Sequence, residues 1–407
     1  MTENTTESIK GSHKLWSWIF VFIATGFPAV ILRFSGLDIP APLAALLFGV
    51  GIVGGAFLLS WAAEVAQLDI SASLAIAVLA LIAILPEYAI EAVLAMHAGA
   101  SYDPATKVIT EEMSFVAANV TGANRLLIGL GWSAVILIYW LKRKQPLDMR
   151  GFMTLELPIL AVATLLSLVI FFTHQVHILL AVVLIALYLY YLWMSSFKES
   201  EEPELIGAAA LLGSLSTAKR RAWVIFLFVY AAAIILVAAE PFVESLIHSG
   251  ESLGISKFLL IQWLAPLASE SPEILVAILF TLRSNPVAGL TALISSEVNQ
   301  LTLLIGSMVI IFMIAAPGNP ISFPLNNQQS VEFLLMTAMS VFAILLIAPR
   351  IITWRAGAIL LVLFIAHLFF PDPAIRLIFV YIFFGLSGVL VIMNWRRVLN
   401  VFGGGTN

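Results

Sequence analysis

Along this chain, apolar residues run in blocks long enough to cross a bilayer as helix, which takes about 20 residues. The blocks lie near residues 15–33, 41–66, 71–96, 114–141, 151–173 and 176–197, and again near 221–247, 256–282, 286–315, 331–349, 353–371 and 374–395. Short charged or Pro-, Gly- and Asn-containing breaks separate them. The pattern therefore predicts about 12 transmembrane helices and no sizeable soluble domain. The first block, Leu15 to Leu32, is longer than the roughly 7–15 residues of a secretory signal core, so it reads as a retained span.

Composition sharpens this reading. Of 407 residues, 61% are hydrophobic and 11% charged, with a mean hydropathy of +1.04. A water-soluble fold has no place for so much apolar surface. Cysteine is absent, which excludes disulfides, thiol catalysis and cysteine metal sites. His13, His97, His174, His177, His248 and His367 fall mostly at span ends and form no H-E-x-x-H pair. With no nucleophile and base together, an intramembrane enzyme is not expected.

Basic residues set the orientation. Counting loops from the N-terminus, alternate loops place 15 of the 20 Lys and Arg on the N-terminal side, against Arg33, Lys107, Lys257 and Arg376 opposite, with Arg125 inside the membrane. Cytoplasmic loops are the ones enriched in Lys and Arg. The expectation is a multi-pass protein of the cell membrane with both termini cytoplasmic.

The two halves repeat each other. The third span carries LPEYAIEAVLA and the fourth ANRLLIGLG; the eighth carries SPEILVAILF and the ninth VNQLTLLIG. Pro86-Glu87 thus corresponds to Pro272-Glu273, and Asn124 to Asn299. The copies are five spans apart, an odd number, so equivalent helices cross in opposite directions. That is an inverted repeat, the usual build of a secondary transporter. The expected division is 1–39 (N-terminus and extra span), 40–197 (spans 2–6), 198–220 (a solvated cytoplasmic linker), 221–371 (spans 7–11) and 372–407 (extra span and C-terminus).

A carboxylate at membrane depth costs at least about 2.5–3.5 kcal/mol and marks a place where a cation, a proton or water arrives. Glu87 and Glu91 are one helical turn apart, as are Glu270 and Glu273, so each pair shares a face. Each Pro-Glu proline also removes a backbone N–H and frees a carbonyl one turn earlier. Carbonyls, carboxylates and an Asn amide are the oxygen donors that Na⁺ or Ca²⁺ requires. Glu297, two residues from Asn299, is expected to point away from it. Glu64 and Glu240, each after Ala-Ala, are candidates for access paths, although Glu64 lies close enough to the cytosol that simple solvation is the expectation there. Glu156 is expected at the interface.

These motifs resemble the paired α-repeats of the sodium/calcium exchanger superfamily, in which a helix bearing G-T-S-x-P-E precedes one bearing G-S-N-x-x-N. The resemblance implies an all-α polytopic antiporter working by alternating access, with small inorganic cations (Na⁺, Ca²⁺ or H⁺) as its ligands. It implies no cofactor, no nucleic acid and no obligate protein partner beyond the lipid bilayer. It assigns Glu87 and Glu273 as central carboxylates, Asn124 and Asn299 as amide partners, and Ser269 and Ser295 as hydroxyl ligands. The chain departs from the pattern in three places. Ile82-Ala83-Ile84 stands for G-T-S in the first copy, Glu270 adds an acid in the second, and Arg125 follows Asn124. Arg125 stays charged at any accessible pH, so it is expected to pair with Glu91, Glu270 or a central acid. A Na⁺/H⁺ exchanger on the same fold is the alternative; a cation channel, which relies on symmetric pore helices and a filter loop, fits less well.

Overall fold

A chain segment in hydrocarbon has to satisfy its own backbone, and a helix does so from within. The computed structural model describes residues 3–69, 85–197, 205–283, 285–368 and 370–399, with side chains only between 14 and 393. Among the described residues, 10 helices are long and apolar enough to cross a membrane, and Trp354–Leu368 is a shorter apolar helix. Residues 71–84 of the third predicted span lie outside the described residues.

In chain order the elements are α1 (Glu3–Ala24), α2 (Gly26–Ser35), α3 (Ala41–Ala66), α4 (Leu85–Ser101) and α5 (Glu111–Leu126). A π-helical segment, π1 (Leu127–Trp132), carries α5 into α6 (Ser133–Arg143). Then come β1 (Leu147–Asp148), α7 (Glu156–Thr173), β2 (Gln175–His177), α8 (Ile178–Ser195), α9 (Ala208–Gly213), α10 (Thr217–Leu253) and α11 (Lys257–Leu282). The chain continues through α12 (Pro286–Asn299), π2 (Gln300–Leu304), α13 (Ile305–Ala315), β3 (Ser322–Pro324) and α14 (Asn327–Ile347). It ends with β4 (Ile351–Ile352), α15 (Trp354–Leu368) and α16 (Pro373–Leu399).

These elements fall into two compact units, Met1–Val93 with Leu192–Lys257, and Leu94–Tyr191 with Phe258–Asn407. In the first, α3 lies along α10, with α1, α2 and α9 packed on α3. Phe22 stacks on Phe57 and meets Trp61 edge-on, while Trp16 leans on Trp223. The break between α1 and α2 at Thr25 presses onto Gly54 of α3, where any Cβ would strike the Thr25 hydroxyl. Beyond the end of α3, Asp69 accepts hydrogen bonds from Arg220 Nε (2.7 Å) and Nη2 (2.9 Å) and from Arg221 Nε (3.2 Å). These donors, Arg220 foremost, hold its carboxyl below the usual value of 3.8.

The connector 198–220 is not simply a solvated linker. Residues 198–204 lie outside the described residues, but Ile206, Ala208, Ala209 and Leu212 are buried and α9 packs on α3.

In the second unit α14 is the central helix, contacting α16, α7 and α5, while α15 lies against α6 and π1. Two short antiparallel strand pairs tie its loops. Leu147 and Asp148 pair with Ile352 and Ile351; Gln175, Val176 and His177 pair with Pro324, Phe323 and Ser322. Exchanging the two repeats converts one pair into the other: β1 and β3 precede the equivalent helices α7 and α14, and β2 and β4 follow them. The inverted repeat is thus visible in the loops as well as in the spans.

Candidate cation-binding site

Asn124, near the end of α5, and Asn299, closing α12, stand at equivalent places, and in both copies π-helical turns follow within a few residues. A π turn adds a residue to the helix and occurs frequently at functional sites. α5 contacts π2 and α12 contacts π1, so the two stations cross within the second unit.

Asn124 is 1% exposed. Its amide donates to Glu297 Oε1 of α12, and its Oδ1 accepts from the Ser340 hydroxyl of α14 at 3.3 Å. Glu297 is fully buried. Facing away from Asn299 on its own helix, it meets Asn124 of the other copy; spacing along one helix cannot show what lies across from it.

Asn299 and Glu270 are buried as well, and Ser269, on the Glu270 helix α11, is 8% exposed with its hydroxyl turned to the Ala265 and Pro266 carbonyls. Glu273 is half-buried with the Ser296 hydroxyl as its neighbour. Ser295 accepts from the Tyr191 hydroxyl at 3.1 Å. Both Pro266 and Pro272 lie inside α11, and Pro266 leaves the Gln262 carbonyl without its helical donor. Gly122 of α5 sits on that carbonyl so closely that a Cβ would collide with it. In the first unit, α4 holds Glu87 at 5% exposure and Glu91 at 0%.

Arg125 does not pair with Glu91 or Glu270. Its Nη2 donates to Glu332 of α14 at 2.6 Å, with both side chains fully buried. Its Nε bonds the Thr121 carbonyl at 2.8 Å, and its guanidinium lies over the Trp263 ring, 5.2 Å from the centroid. Arg376, expected in a loop opposite the termini, is instead buried at the start of α16 and ion-paired with the same Glu332. Gln262 joins them, donating to Glu332 at 3.0 Å and accepting from Arg376 at 3.0 Å. In a medium without water, a long guanidinium goes to the acid it can reach, whatever the sequence distance. A signal for Glu332 exists in the repeat: Ser330-Val331-Glu332-Phe333 of α14 matches Thr154-Leu155-Glu156-Leu157 at α7. Glu156 accordingly is buried at 5% exposure, not interfacial. Glu64 is half-buried and accepts from Ser60 at 3.3 Å, so it too is less solvated than expected. His367, read as a span-end residue, is fully buried between Trp263, Phe364 and Phe379.

Within the second unit, Asn124, Ser340 and Glu297 form one buried hydrogen-bonded group, and such oxygen donors suit a small cation or a proton. Comparison with known proteins agrees in kind. The family model described as "Sodium/calcium exchanger protein" matches residues 40–197 and 223–371. A search of the curated proteins found no match. Among solved structures, the H⁺/Ca²⁺ exchanger CAX is 38% identical with a TM-score of 0.89, over 96% of this chain and 97% of that one. The Ca²⁺/H⁺ antiporter YfkE, at 17% identity, has a TM-score of 0.61 over 86% of this chain and 98% of its own. The sodium-calcium exchanger NCX_Mj, at 18%, has a TM-score of 0.52 over 81% and 98%. At these identities YfkE and NCX_Mj share the fold.

Proposed function

Since this chain belongs to the sodium/calcium exchanger family, we propose that it is a cell-membrane antiporter, both termini cytoplasmic, that exchanges Ca²⁺ for H⁺ by alternating access. The observation that carries the proton half of this reading is the end-to-end likeness to the H⁺/Ca²⁺ exchanger CAX.

The residues support it chemically. Glu87 and Glu273 are the carboxylates that hold Ca²⁺ and, on its release, take up protons; a carboxylate oxygen that binds a proton no longer serves a divalent ion, so the two loads exclude each other. Asn124 and Asn299 supply amide oxygens, Ser269 and Ser295 hydroxyls, and Glu270 a further acid, with Glu91 one turn from Glu87. The first copy lacks both motif hydroxyls, having Ile82-Ala83-Ile84 in their place. Na⁺ needs such neutral oxygens in number, whereas a proton needs only the carboxylate. Arg125 has its charge shared with Glu332.

Purified protein in proteoliposomes tests the proposal. Radiolabelled Ca²⁺ uptake should saturate and follow an imposed pH gradient without Na⁺. Uptake that follows a Na⁺ gradient and ignores pH overturns proton coupling, and Na⁺-for-H⁺ exchange with no Ca²⁺ flux overturns the Ca²⁺ reading.

A further inference from the structure

Two guanidiniums, Arg125 and Arg376, meet at full burial, and among the described residues Glu332 is the one carboxylate paired with either. One positive charge is left over. A structural ion pair in hydrocarbon is balanced, because each unmatched charge carries its own desolvation penalty. Here the second guanidinium is held in place by further acceptors: Arg376 also donates to Gln262 Oε1 and to the Phe370 carbonyl, at 3.0 and 3.2 Å.

Packing alone does not require that charge, as the other copy shows. The counterpart of Arg125 is Gln300, one residue after Asn299, and the counterpart of Glu332 is Glu156. Gln300 is 1% exposed and neither its amide nitrogen nor its oxygen has a hydrogen-bond partner. The other copy thus has neither a guanidinium at the Arg125 position nor, since Arg376 lies outside both repeats, any counterpart of Arg376, so the fold stands at that station without either cation.

The cluster is wired to the ion site. Asn124 and Arg125 are adjacent, and both fasten onto α14, Asn124 at Ser340 and Arg125 at Glu332. Those two points are eight residues apart on one helix, about 12 Å along its axis. At that separation a unit charge alters the binding of another by about ten-fold at the effective dielectric of a protein interior.

We infer that the surplus charge of the Arg125–Glu332–Arg376 cluster is a built-in counterweight that weakens the hold of the neighbouring site on its cation, so that a divalent ion bound by several acids can leave. Arg376, in the last span and outside both repeats, is the residue that supplies it. The inference deepens the Ca²⁺/H⁺ reading and rests on it.

The experiment measures KM and Vmax for Ca²⁺, and separately for Na⁺, in proteoliposomes of wild type, Arg376→Lys, Arg376→Met and the double variant Glu332→Gln/Arg376→Met. Wild-type transport alone judges the Ca²⁺ reading; the counterweight is judged by variant-to-wild-type KM ratios for whichever cation the wild type carries. Arg376→Met removes the surplus and should lower KM about ten-fold for Na⁺ and, because the interaction doubles with a divalent ion, about a hundred-fold for Ca²⁺, while lowering Vmax. Arg376→Lys keeps the charge and should keep the KM. The double variant leaves Arg125 as one unmatched charge, so its KM should return toward wild type although it has lost two members of the network. If Arg376→Met does not fold, Arg376→Gln, which can still donate to Gln262, is read in its place. A KM that rises or stays unchanged in Arg376→Met, or a double variant whose KM stays as low as that of Arg376→Met, makes the cluster structural and overturns the inference.

Discussion

A carboxylate that binds Ca²⁺ and then yields it to protons loses both abilities with its charge, while its amide keeps nearly the same volume. Glu87→Gln and Glu273→Gln are each expected to bring Ca²⁺ uptake to background with unchanged melting in detergent; uptake retained in both would remove these acids from the site. Gly122 tests the close approach of α5 to the Gln262 carbonyl. Alanine is the better helix former by about 1 kcal/mol, yet Gly122→Ala should destabilise by roughly 1–3 kcal/mol because its methyl meets backbone that cannot step aside; melting in detergent reads the sign. As positions matched between two copies, Glu87 and Glu273, and likewise Asn124 and Asn299, were legible in the sequence. Glu332 has its own repeat counterpart in Glu156, but its pairing with Arg125 was not legible, since Arg125 reaches it across 207 residues and helical spacing relates only near neighbours. Glu297 was half legible: its face could be read from the helix, its partner could not.

At the scale of elements, apolar blocks marked the described spans closely, because hydrocarbon forces long apolar runs into helix. The π segments left no such trace. Their cause is a local mismatch of one residue, which hydropathy does not register. Deleting Leu130 should let π1 close as ordinary α-helix; the protein is expected to fold and to lose transport, and a deletion variant with wild-type uptake would make the π turns incidental. The tie between Asp69 and Arg220 makes a pH-dependent joint between the end of α3 and the start of α10. The Asp69 pKa is lowered on folding, so this tie contributes fully above pH 3.8 and is lost as pH falls through the lower, folded-state value. The melting difference between wild type and Asp69→Asn should therefore hold steady from neutral pH down to about 4 and close only below it.

For the whole molecule, the inverted repeat fixes which loops share a side, and a chain without cysteine allows single thiols to report it. Ser214→Cys is expected to react with an impermeant maleimide only from the cytoplasmic face, and Asn327→Cys only from the opposite one; labelling of both from one face would break the topology. The two strand pairs then say something about ancestry. Each joins a loop of one repeat to the non-equivalent loop of the other, β1 to β4 and β3 to β2. A single half-length chain carries one strand of each kind at the two ends of one helix, and two copies running in opposite directions bring the leading strand of each beside the trailing strand of the other. The fused protein thus keeps, in ten paired loop residues, the handshake of an antiparallel homodimer.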